Sequence, residues 1–208
     1  RSNLLAHERV IERVMRESGV LPVRFGTVAK GSTAEQDIQK LLQVRFQEFN
    51  DLLTEMEEVV ELGLKALRRD ENLIFEEILS QDQAIRRLRN SIQGKPPPAT
   101  HFERIRLGQM VKEAMDRKRN AEAAVILTPL RQIARRSVEN PILMDMMLVN
   151  SAFLVDKSRE EEFDRAVSGL DQELGERISF KYIGPVPPYN FVNITVNWEE
   201  VLKSGVAG

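Results

Sequence analysis

The 208-residue chain has no cysteine, two histidines and one tryptophan, and none of its apolar runs approaches the roughly 20 residues that a membrane helix needs. Without thiols it has no thiol nucleophile, zinc–thiolate site or iron–sulfur cluster, and the composition suits a reducing compartment. The first residues form no hydrophobic signal core. An excess of one charge is lacking too. Thirty Lys+Arg against 32 Asp+Glu leave a net charge of −2 and a pI near 5.9, whereas a dedicated nucleic-acid-binding domain commonly lies above a pI of about 9. There is no G-x-G-x-x-G or G-x-x-x-x-G-K-[ST] run to cradle a phosphate, and no H-x-x-x-H or H-E-x-x-H spacing to hold a metal.

What is present is 42% hydrophobic and 30% charged residues. At this length a chain buries roughly 70% of its unfolded surface without disulfide or metal, as one large domain or two small ones. The chain opens at Arg1 rather than Met, directly into a helical pattern (Leu4, Leu5, Val10, Ile11, Val14, Met15) that stops at Ser18-Gly19, so the true start is expected to be absent. Val20 to Val28 is β-branched and aromatic, and predicts a strand with Leu21, Val23, Phe25 and Thr27 on one side. Thr33 is a candidate cap for a helix reaching about Met56, with Leu41, Leu42, Phe46, Phe49, Leu52 and Leu53 as its stripe. The period then switches to two: Val60, Leu62, Leu64 and Ala66 predict a half-buried strand over 59–67.

Asp70 is placed to cap a helix whose inner face is Leu73, Ile74, Ile78, Ile85, Leu88 and Ile92, up to Gly94, and Lys95 to Pro98 forms a stiff connector. An amphipathic stretch from Phe102 to Val138 contains Pro129, so either the helix kinks there or a second one starts. Asn140-Pro141 ends it. Met146 to Val155 is apolar on both faces, which predicts a central, covered strand. A helix capped by Ser158 runs to Leu174, and a last strand over 177–183 leads into GPVPPYNF, Gly184 to Phe191. Strands separated by helices give an α/β (α+β) sandwich. The part from residue 57 fits a ferredoxin-like unit enlarged by a helical insertion at about 100–139, and residues 1–56 fit the remainder of an incomplete N-terminal α/β domain.

The chemical inventory is thin. Only His7 and His101 titrate near neutral pH unaided, and both read as structural or surface residues. The acidic run Glu160 to Glu162 reads as first-turn charge at the positive end of a helix dipole. Arg117, Arg131 and Arg135 fall near one face of a continuous helix, but interleaved acids and the lack of aromatics favour an ion-paired solvated face over an anionic partner's stripe. Met144, Met146 and Met147 fit a core better than a malleable binding surface. The proline-rich segment stands out. Three prolines and two aromatics make either a rigid partner-binding edge or a stiff strap closing the chain's own core, and physics alone favours the strap. Read as a partner-binding site, its anchors are Tyr182, Pro185, Pro187, Pro188, Tyr189 and Phe191.

LLAHERVIERVM, VLPVRFGTV, NSAFLVDKSREEEFDRAV and ISFKYIGPVPPYNFVNI, in that order, resemble the gas vesicle accessory family GvpF/GvpL over most of residues 4–194. VLPVRFGTV followed far downstream by FKYIGPVPPYNFV is the most specific pairing. The strand over 59–67 departs from that pattern, ending in Leu67-Arg68-Arg69 where an aromatic-acidic ending is usual. The resemblance implies ferredoxin-like elements in both halves. It also implies a cytoplasmic, vesicle-associated and non-enzymatic accessory or minor structural protein of gas vesicle assembly, one that binds the hydrophobic GvpA-type shell protein and other accessory proteins. No cofactor, metal, nucleic acid, membrane or small-molecule substrate is implied. The alternative expectation is a nucleic-acid-binding or regulatory module on a ferredoxin-like scaffold, since that fold hosts many unrelated functions.

Overall fold

The structure, a computed structural model, describes residues 2–27 and 33–196. Helices α1 (Ser2–Glu17), α2 (Ala34–Val44) and α3 (Phe46–Glu57) precede strand β1 (Val59–Arg68). Then come α4 (Glu71–Gln81), α5 (Gln83–Ile92), a short 3-10 turn at Pro97–Thr100 and α6 (His101–Ile133). Strands β2 (Arg136–Glu139) and β3 (Met147–Asp156), helix α7 (Glu160–Leu174) and strand β4 (Ile178–Val186) complete the order. The four strands form one antiparallel sheet, β2-β3-β1-β4, so β1 and β3 are central and β2 and β4 are edges. From β1 onward the chain follows a β-α-β-β-α-β order, with three helices filling the first crossover.

Alternation along β1 explains the two layers. Val60, Leu62, Leu64 and Ala66 point to one face, where they meet Val149, Phe153 and Val155 of β3, Ile126, Leu127, Leu130 and Ile133 of α6, and Phe163, Val167 and Leu170 of α7. On the other face Val59, Ala152 and Leu154 meet Met56 of α3 together with Phe191 and Val192 from the segment after β4. The predicted two-sided coverage of β3 is therefore present, supplied on one side by helices and on the other by α3 and the chain's end. A third cluster, Ile74, Ile78, Ile85 and Ala114, joins α4, α5 and the first half of α6 away from the sheet. None of the described helices is long and apolar enough to cross a membrane.

Several expectations are corrected. Residues 20–27 form no strand; Val28 lies outside the described residues. Val23 and Phe25 are 52% and 55% exposed and find no sheet edge, so β-propensity has nothing to pair with. Instead the segment is tied to α1: the His7 Nε2 lies 2.9 Å from the Val23 carbonyl, and the His7 ring meets Phe25 edge-on at 5.7 Å. The described residues before β1 carry helices only. The single helix expected over 33–56 breaks at Arg45, whose guanidinium pairs with Glu48, lies 5.0 Å from the Phe49 ring and donates to the Thr195 carbonyl at 2.8 Å. Asp70 caps α4 as expected, accepting from the Asn72 N–H at 2.8 Å, but that helix also breaks, at Asp82.

Helix α6 passes through Pro129 unbroken and ends at Ile133, so the insertion ends there; residues 136–139 leave the helical pattern to become β2 on the edge of β3. Ser158 does not cap α7. It sits in a 3-10 turn, and the helix begins at Glu160 without a side-chain cap. Neighbouring Arg159 instead donates to the Ile133 carbonyl at 2.8 Å, satisfying the C-terminus of α6.

Candidate functional site

The segment singled out by its prolines begins inside β4, which extends to Val186 rather than ending at 183. Gly184 crosses so close to β1 that a Cβ there would lie 2.6 Å from Leu62 Cδ2 and 3.1 Å from the Glu61 carbonyl, and its φ of +147° is one that side-chain-bearing residues rarely adopt. The Gly184–Pro185 peptide is cis. After β4 the chain folds over the sheet's second face in tight turns, with the Tyr189 N–H bonded to the Pro187 carbonyl at 2.7 Å and the Val192 N–H to that of Pro188 at 3.0 Å.

At the centre of this strap is Glu61, 4% exposed. Its carboxylate accepts from the Asn190 backbone N–H at 2.8 Å and from Asn190 Nδ2 at 2.5 Å. Burial raises the Glu61 pKa from the ordinary carboxylate value, and the two Asn190 hydrogen bonds work against that rise. Beside this clamp Phe191 is 7% exposed, packed on Met56, Val59, Ala152 and Leu154, with the Arg136 guanidinium 5.5 Å from its ring. Arg136 is itself held by Glu55 at 2.9 Å, and Arg45 grips the far end of the strap at Thr195.

The six candidate anchors separate accordingly. Pro187, Pro188 and Phe191 are buried in the chain's own core. Tyr182 is half-buried on the helical face: its ring stacks on Phe163 at 6.1 Å and its hydroxyl donates to Asp164 at 2.5 Å. Burial, that hydrogen bond and the adjacent carboxylates push its pKa far up, so the phenol stays protonated. Pro185 is exposed and Tyr189 half-buried; burial raises the Tyr189 pKa, with the charges of Glu8 and Glu12 adding to the rise, which places α1 near this end of the strap. Ile183, absent from the six, is 54% exposed on β4. Its position in the strand pattern was visible, but its edge location depends on sheet order.

Elsewhere many of the charged side chains pair with one another. Arg117 lies 3.9 Å from Asp82, and Arg131 and Arg135 pair with Glu139 and Asp156. A crevice of about 140 Å³ between β1, α6 and β4 holds Arg68, Arg69 and Arg177; Arg68 pairs with Glu122 at 2.8 Å and Arg177 with Glu77 at 2.6 Å. Neither His7 nor His101 lines it, and among the described residues no three His, Asp or Glu side chains converge to hold a metal. Met147 is buried and Met146 half-buried, while Met144 is 52% exposed in the loop before β3.

Residues 1–193 match the family described as Gas vesicle synthesis protein GvpL/GvpF. Gas vesicle protein F of Dolichospermum flosaquae is 27% identical over 196 residues, covering 93% of this chain and 78% of that one. Gas vesicle protein F of the haloarchaeon Haloferax mediterranei is 21% identical, covering 93% and 71%. The fold is that of the crystal structure of gas vesicle protein GvpF from Anabaena sp. PCC7120, with a TM-score of 0.82 and 26% identity over 94% of this chain and 79% of that one. For GvpF from Microcystis aeruginosa the TM-score is 0.77, again at 26% identity, over 93% and 79%.

Proposed function

This chain belongs to the gas vesicle synthesis protein GvpL/GvpF family, and from that membership we propose that it is a non-enzymatic assembly factor that shields the hydrophobic, GvpA-type shell protein in the cytoplasm until it joins the vesicle wall. A subunit destined for a wall that excludes water must expose apolar, strand-rich surface beforehand, which is an aggregation hazard. The observation that carries the reading is the β4 edge, which among the described residues pairs with β1 on one side only and presents Ile183 beside exposed Pro185. An unpaired edge offers backbone hydrogen bonds to an incoming strand, and side chains along it add specificity. The six residues from Tyr182 to Phe191 divide the work: Pro185 and Tyr189 meet the partner, while Tyr182, Pro187, Pro188 and Phe191 hold the edge and strap in place. Contacts with other accessory proteins belong to the same proposal.

The test is a titration of purified shell protein with this chain. Soluble shell protein and a detectable complex are expected to increase together. Ile183→Lys and Tyr189→Ala, both folding normally, are expected to weaken the complex; unchanged binding by both would remove the edge from the proposal, and no complex at all would remove the shielding role.

A further inference from the structure

Charge is nearly balanced over the whole chain but not along it. Residues 83–120 carry ten Lys and Arg against three Asp and Glu, so the remainder of this net −2 molecule is strongly acidic. Those residues are α5, the proline turn and the first half of α6. Together they build an arm standing off the sheet: the α6 residues packed into the main core are Ile126 to Ile133, whereas its first half meets α4 and α5. Arg104 braces the tip, donating to Thr100 Oγ1 at 3.0 Å. No side-chain hydrogen bond or ion pair engages Arg86, Arg89, Arg106 or Lys112 among the described residues, and all four are exposed. On α6 Phe102 is 82% exposed and Ile105, one turn on, is 47% exposed. At 3.6 residues per turn Phe102, Ile105, Arg106 and Lys112 share the solvent side of α6, opposite Ala114. Further along α6, on its α4–α5 side, a separate open groove of about 730 Å³ is lined by Ile78, Ala84 and Ala114, with Asp82, Arg117 and Lys118 at its side.

We propose that this arm docks an acidic amphipathic helix of another protein, its apolar stripe on Phe102 and Ile105 and its carboxylates beside Arg106 and Lys112, the unpaired cations of the same face. Helices α5 and α6 have no free backbone edge to offer, so the occupant must be read by side chains, as one helix reads another. A protein fits better than nucleic acid, because the acidic remainder repels a long polyanion and the arm has no series of rings on which bases stack. The arm lies on the helical side of the sheet, away from the strap, and does not depend on the β4 edge.

The probe is a set of 18-residue helical peptides sharing one apolar stripe and carrying glutamate, glutamine or lysine elsewhere, measured by fluorescence anisotropy at low and physiological salt. The glutamate peptide is expected to bind at least tenfold more tightly than the lysine peptide, and to weaken as salt rises. Phe102→Ser and the charge reversal Arg106→Glu/Lys112→Glu should each reduce its affinity at least tenfold with the circular dichroism spectrum intact, while Lys181→Glu on β4 should not. Equal or absent binding of the glutamate peptide, insensitivity to the arm variants, or tighter binding of a 20-base-pair duplex or of anionic phospholipid vesicles would each overturn the proposal. So would a concentration-dependent rise in the mass of the chain alone that the arm variants abolish, because the occupant would then be a second copy.

Discussion

At the residue scale the strap turns on Glu61 and Asn190. A buried carboxylate is costly when charged, and here two donors from one residue reduce that cost. Because burial raises the Glu61 pKa in the folded chain, its protonated form is favoured by folding. Its contribution to stability is therefore full below the unfolded carboxyl pKa and lost as pH rises through the folded one. Asn190→Ala removes the Nδ2 donor from this carboxylate, and is expected to cost about 1–3 kcal/mol at pH values above the folded pKa. The cost should shrink as pH falls through the folded pKa, since a protonated Glu61 needs the donor less. Urea unfolding across that range measures it, and a pH-independent cost would mean that Asn190 acts by packing alone. Gly184→Ala is expected to cost about 1–3 kcal/mol through its φ and the approach to Leu62, or a few degrees in Tm for a chain of this length.

At the element scale, breaks in helices come from single side chains that the apolar stripe conceals. Asp82 ends α4, its own N–H bonded to the Ile78 carbonyl at 2.9 Å, and starts α5 by accepting from the Ala84 and Ile85 N–H groups at 2.9 and 3.1 Å. Asp82→Ala is expected to destabilise by about 1 kcal/mol and Asp82→Asn by much less, since asparagine caps as well as aspartate; the exposed pair with Arg117 contributes little. Equal losses in thermal unfolding would assign the effect to that ion pair instead. The sequence carried β1, β3, β4 and α7 clearly, because their apolar period continues over seven residues or more. It did not carry the breaks at Arg45 and Asp82, where Leu42, Phe46 and Phe49, and Ile78 and Ile85, continue a stripe straight across. Nor did it carry β2, four residues whose strand character comes from register with β3 rather than from pattern. Of the candidate site, the rigidity of the proline segment was legible. Its burial was not, because that depends on Glu61 and Met56, more than a hundred residues earlier in the chain.

At the scale of the whole molecule the strap joins parts that otherwise share few buried contacts. Helices α1 and α2 each bury one residue, Ile11 and Leu41, and leave Leu5, Val10, Leu42 and Val44 largely exposed, whereas β1, β3 and α6 supply most of the main core. Such a division predicts unequal opening, since local unfolding free energies follow buried apolar contact. The strap reaches both parts, through Phe191 to the sheet and through Thr195 to Arg45 at the α2–α3 break. Hydrogen exchange should therefore show α1 and α2 opening at much lower free energy than β1, β3 and the last turns of α6. Phe191→Ala, which removes a ring packed on Met56 and Leu154, should cost about 3–5 kcal/mol if the change reaches global unfolding. Its earliest effect should be faster exchange in α3 and at the N-terminal end of β1, where the ring's neighbours Met56 and Val59 lie, before β3 and α7 respond. Uniform loss of protection across the chain would show that the strap belongs to one cooperative core, and that the N-terminal helices are held by something other than Phe191 and Arg45.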